Sequence, residues 1–230
     1  MNATLARRAA FTYDIDMEQM EERKTATLRA RLKESAIEQM LDAAQEVMFQ
    51  KGYDGATMQD IAAAAGCAAG TFYLHFKNKE SLFTAIVARH ARGMFGMARQ
   101  SVQATDNPLE KLRLGIKAHL LYMKQHKDFF RLLFQVNPFR RMERRIEGEA
   151  RKLHAEYQAA ELSFVRQAQQ QGLIRRDIPA EVLHGFLESA CLNLVDDYLM
   201  PDSKTSVDEL FRTIWGLLTG GLKGSVKDGK

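Results

Sequence analysis

Apolar residues recur at three- and four-residue spacing along most of the chain, and no stretch alternates apolar with polar residues as a half-buried strand would. Ile37, Met40, Leu41, Ala44, Val47 and Met48 fall on one stripe of a helix predicted over 34–51. Lys51 and Gly52 end it, a basic last turn followed by glycine. Thr57 and Asp60 form a capping box that opens a short helix over 58–65, with Met58, Ile61, Ala62 and Ala65 on its inner face and Gly66 as its stop. A second short helix covers 69–75, and Asn78 caps a fourth that runs to about Gln103. Asn107-Pro108-Leu109-Glu110 is a cap, a first-turn proline and an acidic third position, so a helix starts there. The remaining helices are predicted over 108–126, 127–135, 138–171, 179–200 and 206–220, punctuated by Pro138, Gly172, Pro179 and Pro201. Residues 1–16 are expected to be weakly structured. The fold class is therefore all-α.

The stretch TMQDIAAAAGCAAGTFYLHF, from Thr57 to Phe76, carries the most chemistry. Two helices of seven or eight residues meet at a tight turn, Gly66-Cys67-Ala68, and the alanines at 62–65 let them approach closely. Phe72 and Phe76, four apart, anchor the second helix in the core. Its other face holds Gly70, Thr71, Tyr73, Leu74 and His75, a small surface with three hydrogen-bonding side chains at one end. Such a helix fits a major groove, where small residues permit close approach to base edges.

Charge refines this picture. The net charge of +4 is compatible with nucleic acid. Yet from Glu34 to Arg92 there are five Lys/Arg against seven Asp/Glu. Any DNA contact there depends on a few well-placed groups. The compensating cations lie upstream, at Arg23, Lys24, Arg29, Arg31 and Lys33.

The span from about Ser35 to His90 resembles the DNA-binding domain of the tetracycline-repressor (TetR) family. The matching residues are the first helix ending in Phe49 and Gly52, then Thr57, Ile61-Ala62 and Ala65-Gly66, then Gly70-Thr71-Phe72-Tyr73, His75-Phe76, Lys77-Asn78-Lys79-Glu80 and Leu82. The resemblance implies a helix-turn-helix domain over 34–90, a partly disordered extension over 1–33 that is basic near its end, and a helical ligand-sensing and dimerisation domain over 91–230. It implies that Thr57 contacts a phosphate, that Ala69, Gly70 and Thr71 face bases or a thymine methyl, and that Tyr73, His75 and Lys79 contact the backbone. Ala68-Ala69 departs from the family pattern, in which a polar residue usually caps the recognition helix. Fewer direct base hydrogen bonds follow, with more reliance on methyl contacts, DNA shape or the basic arm.

In the larger half, His119, Tyr122 and His126 share a helical stripe with Met123, Phe130 and Phe134 nearby. With Met94, Phe95 and Met97 on the linking helix, and Phe164, Phe186 and Asn193 further on, they are expected to line a cavity for an apolar or amphipathic effector. For each residue taken singly, core packing is the favoured reading. Gly93 and Gly96 each cost about 1 kcal/mol in a helix interior; they mark either close packing or a flexible point. Leu183, Phe186, Leu187, Ala190 and Leu194 form one late stripe, and Leu210, Ile214, Leu217 and Leu218 another. Two such helices from each subunit would make a four-helix homodimer interface. Recognition helices roughly 34–36 Å apart would then read a palindrome.

Other classes fare worse. Glu181-Val182-Leu183-His184 is the one Glu-x-x-His motif, whereas a di-iron bundle needs two, and there is no HExxH, phosphate loop or GxSxG. His119 and His126 are seven apart, and Cys67 and Cys191 form no CxxC, so neither a metal nor a cofactor is implied. Cys67 reads as a small apolar residue, an oxidation switch being the other option. No apolar run reaches the roughly 18 residues of a membrane span, and no signal peptide is evident, so a cytoplasmic location without membrane partners is expected. The reading is a repressor that binds a palindromic operator as a dimer and is released by a small molecule. The alternative is a helical carrier or adaptor without DNA binding.

Overall fold

The computed structural model describes the backbone of residues 3–136, 148–198 and 205–220, and within them every side chain except those of residues 3–28, 134–136, 192–198 and 218. All its described elements are helical. Phe134, Asn193, Leu194 and Leu218 lie outside the described side chains, as does the first part of the helix expected from 138.

Helix α1 spans Ala3–Gly55. The weakly structured start expected over 1–16, within a partly disordered extension over 1–33, is instead helical from Ala3. The reason is local: no glycine or proline occurs between Ala3 and Lys51, and the segment is rich in Ala, Glu, Met, Leu, Lys and Arg. Gly52 breaks the helix at φ 72° and ψ 162°, where glycine is favoured over residues with a Cβ.

Helices α2 (Met58–Ala64) and α3 (Ala69–Tyr73) are joined through Gly66 at φ 68°. The capping box at Thr57 is present: Asp60 N–H donates to Thr57 Oγ1 at 3.1 Å and Thr57 N–H to Asp60 Oδ2 at 3.2 Å. Helix α4 (Lys79–Ser101) starts at Asn78, which makes a reciprocal box with Ser81. Met40, Leu41, Ala44 and Met48 of α1 bury against Ile61, Phe72, Leu82 and Ile86. Burying a side chain as large as Phe72 contributes about 1.5–3 kcal/mol, enough to hold a five-residue helix that would not persist alone.

A single 3-10 turn (Val102–Ala104) leads to α5 (Pro108–Gln125) and α6 (Lys127–Val136); α7 (Gly148–Gln170), α8 (Ala180–Tyr198) and α9 (Val207–Gly220) follow. Helix α4 packs on α5 and α7, α5 on α7 and α9, α8 on α7 and α9, and α1 on α6. The core is continuous: Leu120, Met123, Phe129 and Leu132, with Ile214 of α9, belong to the same buried cluster as the first four helices. The boundary expected between residues 90 and 91 therefore falls inside α4. No described helix is long and apolar enough to cross a membrane.

Candidate nucleic-acid interface and effector cavity

Helix α3 turns Phe72 inward and leaves Gly70, Tyr73 and Leu74 outside. Nothing lies within 4 Å of where a Cβ on Gly70 would stand, so a partner surface can approach the backbone there. Tyr73 is 51% exposed and Leu74 82%. Thr71 and His75 are half-buried, and Ala69 is partly turned into the core. No side chain caps α3, because Ala68 has none to offer.

Two of the expected phosphate ligands are already engaged. Thr57 Oγ1 donates to Asp60 Oδ2 at 2.8 Å, and Asp60 is held by Lys51 at 2.7 Å. Lys79 Nζ donates to three carbonyls, those of Tyr53 at 2.6 Å, Ala56 at 3.0 Å and Asp54 at 3.2 Å, and lies 4.6 Å from the Tyr53 ring centroid. An ammonium has three protons, and all three are used. Lys79 therefore clamps the carbonyl end of α1 to the start of α4. Lys77, which the sequence reading passed over as a ligand, is exposed beside α3 with no carboxylate partner among the described residues.

The aromatic stripe assigned to a ligand sits elsewhere. Tyr122, Met123 and Phe130 are buried in the continuous core, and half-buried His126 has its ring 4.2 Å from that of Tyr122. Tyr122, His126 and Phe130 surround His90, which is buried, stacks on Phe129 at 3.7 Å and lies 5.0 Å from the His126 ring. His90 Nδ1 is 3.1 Å from Tyr122 Oη, and Nε2 is 2.8 Å from Gln45 Oε1. That amide oxygen also accepts from Arg89 Nη2 at 2.9 Å, so Nε2 carries the proton and Nδ1 accepts from the phenol. Burial, with help from the Arg89 and His126 charges, pushes the His90 pKa down to about 3. This neutral imidazole ties α1 to α5 through α4. Gly93 makes room for it: a Cβ there would come within 3.0 Å of the Tyr122 ring and closer still to its oxygen. The sequence signal was glycine on a helix one turn after a buried histidine; it indicates close packing. Gly96, by contrast, has nothing within 4 Å.

The cavity lies between α4, α5 and α7, with a volume of about 440 Å³. Phe95, Ala98, Val102, Leu112, Leu153 and Phe164 supply most of its apolar wall, and Gly96 and Gly115 widen it. Arg92, Arg99, Lys111, Glu156 and Glu161 bring charge to it. Of the expected ligand residues with described side chains, Phe95 and Phe164 line this space. Met94 and Met97 are half-buried against the core, and Phe186 points outward at 62% exposure. His119 lies behind the wall, its ring 5.8 Å from that of Tyr157.

Behind Tyr157 is a polar network that periodicity did not reveal, because its members come from two helices. Tyr157 Oη donates to Glu161 Oε1 at 2.6 Å, and His184 Nε2 is 3.2 Å from Glu161 Oε2. Gln158 Nε2 donates to both oxygens of Glu188, 2.9 and 3.1 Å away. The bond to Glu161 raises the His184 pKa; burial raises that of Tyr157 and pushes the Cys191 thiol up to about 12. These bonds tie α7 to α8 behind the cavity wall. On α8 and α9 the late stripes divide: Leu210 and Ile214 are buried, while Val182, Phe186 and Leu217 face outward.

Comparison with known proteins places this architecture. Residues 40–86 match the family model for bacterial regulatory proteins of the tetR family, and residues 105–222, more than half of the chain, match the tetracyclin repressor-like C-terminal domain. The HTH-type transcriptional repressor AcnR of Corynebacterium efficiens is 28% identical over 157 residues, 66% of this chain and 76% of AcnR. The HTH-type transcriptional activator FasR of Mycolicibacterium smegmatis is 32% identical over 97 residues, 42% of this chain; the match spans 44% of FasR's length. The structure of AibR in complex with isovaleryl coenzyme A and operator DNA is similar at a TM-score of 0.65 and 25% identity, covering 80% of this chain and 98% of that one. With a helix-turn-helix head, a helical second half and both family models matched, the chain belongs to the TetR family of bacterial transcriptional regulators.

Proposed function

We propose that this protein is a repressor that binds a palindromic operator as a homodimer and leaves it when a small amphipathic molecule fills the cavity between α4, α5 and α7. The observation that carries this reading is the double duty of α4. Its first turns give Leu82, Phe83 and Ile86 to the core beneath the reading helix; its last turns give Phe95, Gly96, Ala98 and Arg99 to the cavity wall. From Leu82 to Gly96 is about 21 Å along one rigid rod. A ligand that shifts the wall shifts the head, by as much as its affinity differs between the two arrangements.

A dimer is supported by the outward apolar residues Val182, Phe186 and Leu217 on the last two helices. Large exposed apolar side chains of this kind favour a partner surface, and a two-fold pair of reading heads matches a palindrome. Repression is supported by the likeness to AcnR, which extends over more of the chain than the likeness to FasR.

The test starts with operator selection from random duplex DNA, followed by in vitro transcription from a promoter carrying the selected site. A recovered palindrome, salt-sensitive binding and lower transcript yield are expected. Higher yield would make the protein an activator. No enrichment would leave the carrier reading in its place.

A further inference from the structure

We infer that the cavity selects an amphipathic anion, with an apolar tail held between Phe95, Leu112 and Phe164 and an anionic head met by Arg99 and Lys111. This rests on the reading of the cavity as the effector site and adds the chemical class of the effector.

The argument is one of charge pairing. Five charged side chains reach the cavity wall. Arg92 is paired with Glu149 at 2.8 Å. Glu156 faces Lys152 at 3.9 Å. Glu161 accepts from Tyr157 and is paired with His184. Arg99 and Lys111 remain, neither with a carboxylate partner among the described residues. They stand on α4 and α5, and both line the cavity. Lys111 Nζ sits 5.5 Å from the Phe164 ring centroid, an aromatic face that accepts a cation without neutralising it. Phe95 stacks on Tyr157 at 4.6 Å and gives the tail a flat, rigid floor. An apolar slot with two cations beside it that have no carboxylate partner among the described residues disfavours a cationic ligand and gives a neutral head less than an anionic one. A carboxylate or a phosphorylated head gains charge-assisted hydrogen bonds there. A free fatty carboxylate and an acyl thioester on a phosphorylated carrier share this chemistry.

The experiment is titration calorimetry of the full-length protein with four ten-carbon probes: decanoate, decanoyl-CoA, decanol and decyltrimethylammonium. The anions should bind more tightly than decanol and the cation least. The double variant R99A/K111A should weaken the anions by about tenfold or more, as loss of a charged hydrogen bond does, and leave decanol unchanged. Decanoyl-CoA tighter than decanoate would point to the phosphorylated carrier; the reverse would point to the free acid. Decanol or the cation binding as well as the anions, or unchanged anion affinity in R99A/K111A, would overturn the inference while leaving the cavity as an effector site. A third variant, G96F, fills the cavity from a position with open space around it and should abolish all binding. If G96F binds every probe like the wild type, the cavity is not the effector site and the reading beneath the inference falls as well. If no probe binds the wild type, the inference is wrong.

Discussion

His90 Nδ1 accepts a hydrogen bond from Tyr122 Oη at 3.1 Å, across the line where the reading head meets the larger helical domain. The bond is buried, its proton direction is set by Gln45 on the other side of the ring, and the phenol reaches it only because residue 93 is glycine. The residues that sequence periodicity suggested for ligand binding thus form the joint between the two halves.

Tyr122→Phe removes the donor and leaves a buried imidazole nitrogen unsatisfied while keeping the ring. A loss of about 1–3 kcal/mol in unfolding free energy is expected. Urea denaturation checks it; an unchanged midpoint would mean water replaces the phenol.

The two glycines of α4 should behave oppositely. Gly93→Ala drives a methyl into the Tyr122 ring and should destabilise by about 1–3 kcal/mol. Gly96→Ala meets open space and should be neutral or stabilising by up to about 1 kcal/mol. Thermal melts of the two variants decide it. Equal effects would restore the idea of a shared flexible point.

Acid should weaken the protein through His90. Its folded pKa of about 3 lies below the ordinary 6.5 of an exposed imidazole, so the unfolded chain binds the extra proton. The stability this neutral histidine contributes is present above pH 6.5 and is lost as pH falls from there toward 3. His119 and His126 are shifted the same way, mainly by burial. His184 is shifted up by Glu161, so its contribution runs the other way, full below pH 6.5 and lost as pH rises through its folded value. The urea midpoint should drop between pH 7 and pH 5, and His90→Gln should flatten that drop.

Lys77 and Lys79 should separate binding from stability. Lys77→Ala should weaken operator binding and lower the salt slope by about one, with little change in melting temperature. Lys79→Ala strips three carbonyls at the end of α1 of their donor and should lower the melting temperature first. A reduced salt slope in Lys79→Ala with normal stability would support the expected DNA contact instead.

Phe186→Glu should give a monomer by sedimentation and abolish binding to a palindrome without harming the fold, since the side chain is already mostly exposed. A stable dimer in that variant would move the interface off this face.

The amino-acid sequence by itself determined the helices and their ends in the reading head. Capping boxes at Thr57 and Asn78, glycines at 52 and 66 and the apolar stripe of α1 act over a few residues, and local chemistry is written in local order. The same locality explains the helix upstream of the head: with no glycine or proline between Ala3 and Lys51, α1 continues unbroken before Glu34. Which stripe meets which depended on how the helices cross. Tyr122 and His126 face His90 and not the cavity, Phe164 does face it, and Phe186 faces outward. Lys79 matched the family's phosphate ligand by position, yet its three protons go to carbonyls more than 20 residues earlier in the chain. Such pairings join residues 20 to 50 positions apart, and a helical period says which side a residue is on without saying what stands opposite. Only the packing of α4 against α1, α5 and α7 supplied that.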